Sequence, residues 1–163
     1  MPETKQLKKV NRSQFVTYLD VTPTDVTKSW ALLGVGITEY GITYNPQVEQ
    51  EKWIIEDNAR TDHTSNQKQS SVSQKMYMGD ACFEFAREGI DKLNYITNIL
   101  DIDRYISNED GSYPAKLSQG KLVITQYMSD DAVIEYDLYY EGDPQIGTVT
   151  FANGVPTFTP TTE

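Results

Sequence analysis

QVEQEKWIIEDNARTDHTSNQKQSSVSQKMYM, residues 47–78, decides how the rest of the chain reads. It contains two strand-like runs, VEQEKWIIE and QSSVSQKMYM, joined by DNARTDHTSNQK, a polar loop with no large apolar residue. The arms are polar too: within QSSVSQK only Val72 is apolar. Two strands alone in water are marginally stable at best, so this hairpin needs a parent sheet, a neighbouring subunit or a ligand. Strand alternation puts Gln69, Ser71, Ser73 and Lys75 on one face of the second arm, and Val72, Gln74, Met76 and Met78 on the other. In the first arm Glu49 and Glu51 alternate with Gln50 and Lys52. Such a face fits an ordinary wet side of an antiparallel sheet, or a strand pair lining an aqueous channel; the residues leave both open.

Upstream, QFVTYLDV reads as a first strand, broken by Pro23 and Asp25. Ser29 to Gly36 is a compact apolar run expected as a strand buried on both faces, and Thr38 to Asn45 alternates like a strand until Pro46 interrupts it. Downstream, ACFEFAREGIDKL has near-helical apolar spacing, with Asp80 as N-cap and Gly89 where the helix ends or frays. Asn94 to Tyr105 fits neither period cleanly, and Asn108-Glu109-Asp110-Gly111 is a turn. The last third reads as a meander of KLVITQYM, AVIEYDLYY and GTVTF, separated at Ser129-Asp130-Asp131 and Gly142-Asp143-Pro144, with NGVPTFTPTTE as an extended tail. The fold class expected is mainly β: a β-rich single domain over residues 14–163 behind a flexible basic arm, residues 1–13.

The 163 residues are enough for a sizeable core. Eleven tyrosines and 38% hydrophobic content fit a β-rich chain with broad, partly exposed surfaces. The net charge of −10 is uneven: Lys5, Lys8, Lys9 and Arg12 stand against Glu3 alone, so the first twelve residues carry +3 and the remainder −13. An acidic body argues against a surface that captures nucleic acid, and is compatible with one that must not hold it. Cys82 is the only cysteine, so no intrachain disulfide is possible. There is no run of apolar residues long enough for a membrane helix. MPETKQLKK lacks the apolar centre of a signal peptide, so synthesis in the cytoplasm is expected.

No catalytic constellation emerges. His63, the only histidine, sits in the polar loop without an orienting partner. Cys82 reads as a small core residue. Asp101-Ile102-Asp103, Glu109-Asp110 and Asp130-Asp131 lack the alternating ligand spacing of a calcium loop. Gly34-Val35-Gly36 lacks the third glycine of a dinucleotide fingerprint. The chain is therefore expected to be no enzyme and to need no cofactor or metal.

Residues 32–93, LLGVGITEYGITYNPQVEQEKWIIEDNARTDHTSNQKQSSVSQKMYMGDACFEFAREGIDKL, resemble the major tail tube proteins of long-tailed bacteriophages, particularly those of Gram-positive hosts. The specific elements, in order, are EKWIIEDNARTD, the YMGDACFEF junction, and the closing GDP…GTVTF…PTFT, so the likeness runs from about Trp30 to Thr159. Where many relatives have Gly-Asp-Pro before the helix, this chain has Gly79-Asp80-Ala81.

The resemblance implies a β-sandwich or partly open barrel with one flanking α-helix, a long hairpin loop and an extended N-terminal arm. It implies hexameric rings stacked into a hollow tube, with an inner barrel shared between subunits and a lumen through which DNA passes without adhering. Partners would be the chain itself and other tail proteins, such as tape measure and terminator. The location would be the virion tail, assembled in the host cytoplasm. On this view Glu49, Glu51, Gln69, Ser71, Ser73 and Lys75 are candidates to line the lumen. Asp57, Asn58, Arg60, Asp62, His63, Asn66 and Lys68 are candidates for a loop that docks on a neighbour. Lys5, Lys8, Lys9 and Arg12 are candidates for an arm reaching the next ring. A carbohydrate-binding or adhesin-like β-module is the alternative, and a hydrolase using paired carboxylates is a third reading.

Overall fold

β6 (Ile96–Asp103) lies at the centre of the molecule, and its burial sets the architecture. Ile99 belongs to one apolar cluster, and Leu100 and Ile102 belong to another. Alternation sends these residues to opposite faces, so the strand is covered on both sides. That is why ITNILDID shows no clean period. Its neighbour β1 (Phe15–Asp20) is built the same way, with Leu19 in the first cluster and Tyr18 in the second.

The computed structural model describes residues 6–162. A short 3-10 turn, Arg12–Gln14, precedes β1. There follow β2 (Trp30–Leu32), β3 (Pro46–Glu51), β4 (Arg60–Asn66), β5 (Gln69–Lys75), α1 (Ala81–Glu88), β6, β7 (Tyr113–Met128), β8 (Val133–Ala152) and β9 (Val155–Pro160). The main sheet is antiparallel with the order β2-β1-β6-β7-β8-β5, and β9 pairs with the far half of β8. The chain leaving β2 bridges β5 at Ile37↔Gln74 and Thr43↔Gln69, so the ends of the sheet nearly meet in a barrel-like form. The fold is mainly β with one helix at its side.

α1 forms because its ends are specified. The Asp80 carboxylate accepts from the Phe83 amide at 3.1 Å, satisfying one of the free N–H groups of the first turn. Gly89 closes the helix, and a Cβ there would lie 2.5 Å from the Tyr95 ring, so a larger residue displaces that ring. Cys82, Phe83, Phe85 and Ala86 face the first core, against Leu19, Ile99, Leu122, Ile134, Tyr136 and Leu138. The second core joins Tyr18, Leu100 and Ile102 to Ala115 and Val149, with Phe151 and Phe158 at its margin.

Several expectations are corrected. The hairpin is not 48–56 with 69–78: β3 pairs with β4, from Pro46↔Asn66 to Glu51↔Arg60, so the supposed polar loop is itself a strand. The second arm, β5, belongs instead to the main sheet, from Gln69↔Tyr139 to Lys75↔Val133. In the run 29–36 only Trp30–Leu32 is a strand; it is an edge strand with Ala31 alone buried, and the chain turns away at Gly36 with a φ of 75°. Residues 38–45 make the single bridge at Thr43 rather than a strand, and Pro46 starts β3 instead of ending one. Gly142-Asp143-Pro144 does not separate strands. Leu117 pairs with Gln145 and Gln119 with Glu141, so those three residues bulge out opposite Ser118 while β8 continues. The tail is extended as expected: it pairs with β8 as β9, turned at Asn153-Gly154, both with positive φ (51° and 77°), as in a two-residue hairpin turn.

Candidate functional site

The β3–β4 ribbon stands apart. It forms its own two-stranded sheet, and every residue of both strands is exposed. Glu49 lies directly opposite Asp62, and like charges across a strand pair repel. The ribbon is tied down at its base, where the Asn45 amide donates to the Gln67 carbonyl at 3.1 Å and the Gln67 amide to the Tyr44 carbonyl at 2.9 Å. At its tip the Glu56 amide donates to the Trp53 carbonyl at 3.0 Å, closing a turn over Ile54 and Ile55. Arg60 clamps that turn: its guanidinium carbon lies 4.1 Å from the Trp53 ring centroid and its Nε donates to Glu56 at 2.9 Å. Ile54 and Ile55 are left 103% and 85% exposed.

The main sheet has a second unusual feature, a three-stranded section with one open edge on β7 and a partly open one on β5, bridged at both ends by the chain's own residues. Pairing of β6 with β7 ends at Ile96↔Lys121, so Val123 to Met128 is paired on one side only, with β8. On the other side of β8 lies β5. Thr43 and Gln69 exchange both backbone bonds, at 2.8 and 2.9 Å, and the Lys75 amide donates to the Gly36 carbonyl at 3.0 Å. By alternation the backbones of Ser71 and Ser73 point to this outer edge as well. They have no backbone partner there among the described residues. Edges are usually blunted by proline or charge. β9 carries Pro156 and Pro160, whereas VITQYM in β7 carries neither proline nor charge and is interrupted only by a register shift between Ile124 and Gln126.

Ser71, Ser73 and Lys75 are exposed while Ser70, Val72 and Gln74 are buried. The exposed row meets acidic residues on β8: Ser71 donates to Asp137 at 2.7 Å and Ser73 to Glu135 at 3.3 Å. Asp137 also accepts from Tyr139 at 3.3 Å and pushes that phenol's pKa up. Lys121 pairs with Glu141 at 2.9 Å. Glu135 and Asp137 were missed by sequence reasoning, although the alternation in VIEYDLYY, with Ile134, Tyr136 and Leu138 buried, points them out.

The six lumen candidates thus lie on two surfaces: Gln69, Ser71, Ser73 and Lys75 on β5, and Glu49 and Glu51 on the ribbon. Of the docking candidates, Asp57 and Asn58 follow the tip turn, Arg60, Asp62, His63 and Asn66 lie on β4, and Lys68 lies in the linker to β5. His63 Nε2 lies 2.8 Å from Asn66 Oδ1. Lys68 stands between the Tyr44 and Tyr140 rings, 5.7 and 5.2 Å from their centroids, and partial burial lowers its pKa. Of the arm candidates, Lys8, Lys9 and Arg12 are exposed, and Lys5 lies outside the described residues.

Polar groups inside the barrel are spent on structure. Gln74, fully buried, donates to the Val35 carbonyl at 2.9 Å and to Asp80 at 2.6 Å, and accepts from the Tyr136 phenol at 2.9 Å. Cys82 is in the core, its pKa raised to about 12 by burial and then by Asp80, so the reactive thiolate is suppressed. Among the described residues no group of three metal-ligating side chains converges, and no helix is long and apolar enough to cross a membrane.

No protein-family model matches the chain, and no curated protein matches it in sequence. In structure it is similar to a chain of the anti-feeding prophage baseplate, solved by cryo-electron microscopy with sixfold symmetrisation. That likeness covers 86% of this chain and 96% of the other, at 10% identity and a TM-score of 0.46, and no residue role follows from it.

Proposed function

We propose that this chain is a non-catalytic structural subunit of a phage tail or tail-like particle, assembling with itself into hexameric rings that stack into a hollow tube. The observation that carries this reading is the edge of β7 from Val123 to Met128, paired on one side only, together with the outward backbone groups of Ser71 and Ser73 on β5, which lie between the subunit's own contacts at Thr43 and Gly36 and have no backbone partner among the described residues. Edges of this kind recruit strands from other chains. Set side by side around an axis, the β7 edge of one copy satisfies Ser71 and Ser73 on β5 of the next, and closure leaves neither of these two exposed. The sequence resemblance to tail tube proteins supports the same arrangement.

In this reading the face carrying Ser71, Ser73, Lys75, Glu135 and Asp137 looks into the lumen. Its carboxylates repel the phosphates of passing DNA over about 8 Å at physiological salt. The β3–β4 ribbon and the basic arm reach other copies, and tape measure and terminator proteins meet the finished tube, which is assembled in the host cytoplasm and carried in the virion. Purified full-length chain imaged by electron microscopy at rising concentration tests this: rings or hollow tubes are expected. A monomer at every concentration and salt overturns it.

A further inference from the structure

The tip of the β3–β4 ribbon is a preformed apolar knob. Two isoleucines occupy the corners of a hydrogen-bonded turn, held outward by the Trp53–Arg60–Glu56 clamp. A floppy loop folds its apolar residues away from water; a clamped turn cannot. Nothing among the described residues of the same subunit covers Ile54 and Ile55. Exposed apolar groups that are held rigid and rimmed by polar residues mark contact sites.

A matching surface lies at the start of β1. A groove of about 800 Å³ runs between the 3-10 turn and the chain leaving β2, lined by Phe15, Leu33, Gly34, Ile37 and Tyr40 with the polar residues Ser13, Thr17 and Thr38 among them. Arg12 lines it and bonds across it to the Thr38 carbonyl; the exposed Lys8 and Lys9 precede Arg12 in sequence, against a single carboxylate, Glu39, between the lining residues Thr38 and Tyr40. The ribbon is anionic, since Glu49, Glu51, Glu56, Asp57 and Asp62 outnumber Lys52 and Arg60. Apolar tip fits apolar groove, and acidic shaft fits basic rim.

We infer that the Ile54–Ile55 turn of one copy seats in the Phe15–Leu33–Ile37–Tyr40 groove of another, with Arg12, Lys8 and Lys9 against the ribbon's carboxylates. This rests on the self-assembly reading and deepens it by naming the partner surfaces. Knob and groove are different patches, so the contact is heterologous: each copy gives one and receives one, and the contact propagates from copy to copy.

Cysteine cross-linking of the full chain tests it. Ile55 is exposed and a Cβ at Gly34 meets nothing within 4 Å, so both sites accept cysteine without disturbing the fold; the native Cys82 is buried and silent. Under copper-phenanthroline, the double variant Gly34→Cys/Ile55→Cys is expected to give a ladder of covalent oligomers. Each single variant is expected to stay uncross-linked, and a mixture of the two to give dimers containing one of each. Ile54→Asp/Ile55→Asp is expected to raise the concentration needed for assembly by at least about tenfold. Cross-linked homodimers of Ile55→Cys alone, or normal assembly of the Asp variant, overturn this contact while leaving self-assembly standing. A wild-type chain that stays monomeric overturns both. Flotation of the wild type with phosphatidylcholine vesicles, lost in the Asp variant while assembly is unchanged, assigns the knob to a lipid surface and overturns it too.

Discussion

The Tyr140 phenol donates to Asp101 Oδ2 at 3.0 Å, joining β8 to β6 inside the barrel wall. The other oxygen of Asp101 accepts from Thr17 at 2.7 Å, and Tyr140 meets Tyr40 at 3.1 Å between the two hydroxyls. Three elements are thus pinned to one carboxylate, including the chain that leads to the ribbon. Burial raises the pKa of Asp101, opposed by those hydroxyls and by Lys68, and raises Tyr40 to about 12 with Asp101 contributing.

An acid whose folded pKa is raised keeps its proton in the native state after the unfolded chain has released it. Its contribution to stability is therefore complete below the ordinary value of 3.8 and declines as pH rises through the raised value. Asp101→Asn removes that dependence. Its stability relative to the wild type is expected to improve as pH rises above 3.8, read from urea midpoints of the monomer. Parallel profiles for the two proteins would remove Asp101 from this role.

Asp80 caps α1 and also holds the buried Gln74 amide. Asp80→Ala loses a cap, at about 1 kcal/mol, and leaves a buried donor short of a partner, at about 1–3 kcal/mol. A total loss of roughly 2–4 kcal/mol is expected by chemical denaturation. Asp80→Asn, which keeps an acceptor, should lose less. Equal losses would mean that charge, not hydrogen bonding, matters here.

Ser73→Pro separates folding from assembly. The Ser73 amide points away from β8, so proline there costs no ladder bond within the subunit. It blocks strand addition at that edge. Monomer circular dichroism is expected to be unchanged while sedimenting assemblies disappear; assemblies that persist would show that β5 is not a joint.

Glu135→Lys/Asp137→Lys reverses the charge of the face beside Ser71 and Ser73. Assembled wild type is expected to release DNA at low salt, and this variant to retain it in a salt-dependent manner. Glu49→Lys/Glu51→Lys is the comparison. Retention by that pair instead would move the lumen to the ribbon.

What the sequence disclosed follows from physical contrast along the chain. α1 was legible because Asp80 and Gly89 mark its ends. The faces of β5 were legible because Val72 and Gln74 go in while Ser71 and Ser73 stay out. β4 was hidden for the opposite reason: RTDHTSN is wet on both faces, so it has no period to read. β6 was hidden because it is dry on both. Gly142-Asp143-Pro144 carried a true signal of irregular backbone, but the neighbouring ladder of β7 absorbs it as a bulge. Glu135 and Asp137 became part of the site only when β5 was placed beside β8.

The β5 and β7 edges are unlike in sequence and lie on opposite flanks of the same three strands. A closed circle of such subunits has a sense of rotation and no dyad in its plane, so its two mouths are chemically distinct. A stack of these circles inherits that polarity, and a polymer threading it meets one chemistry on entry and another on exit.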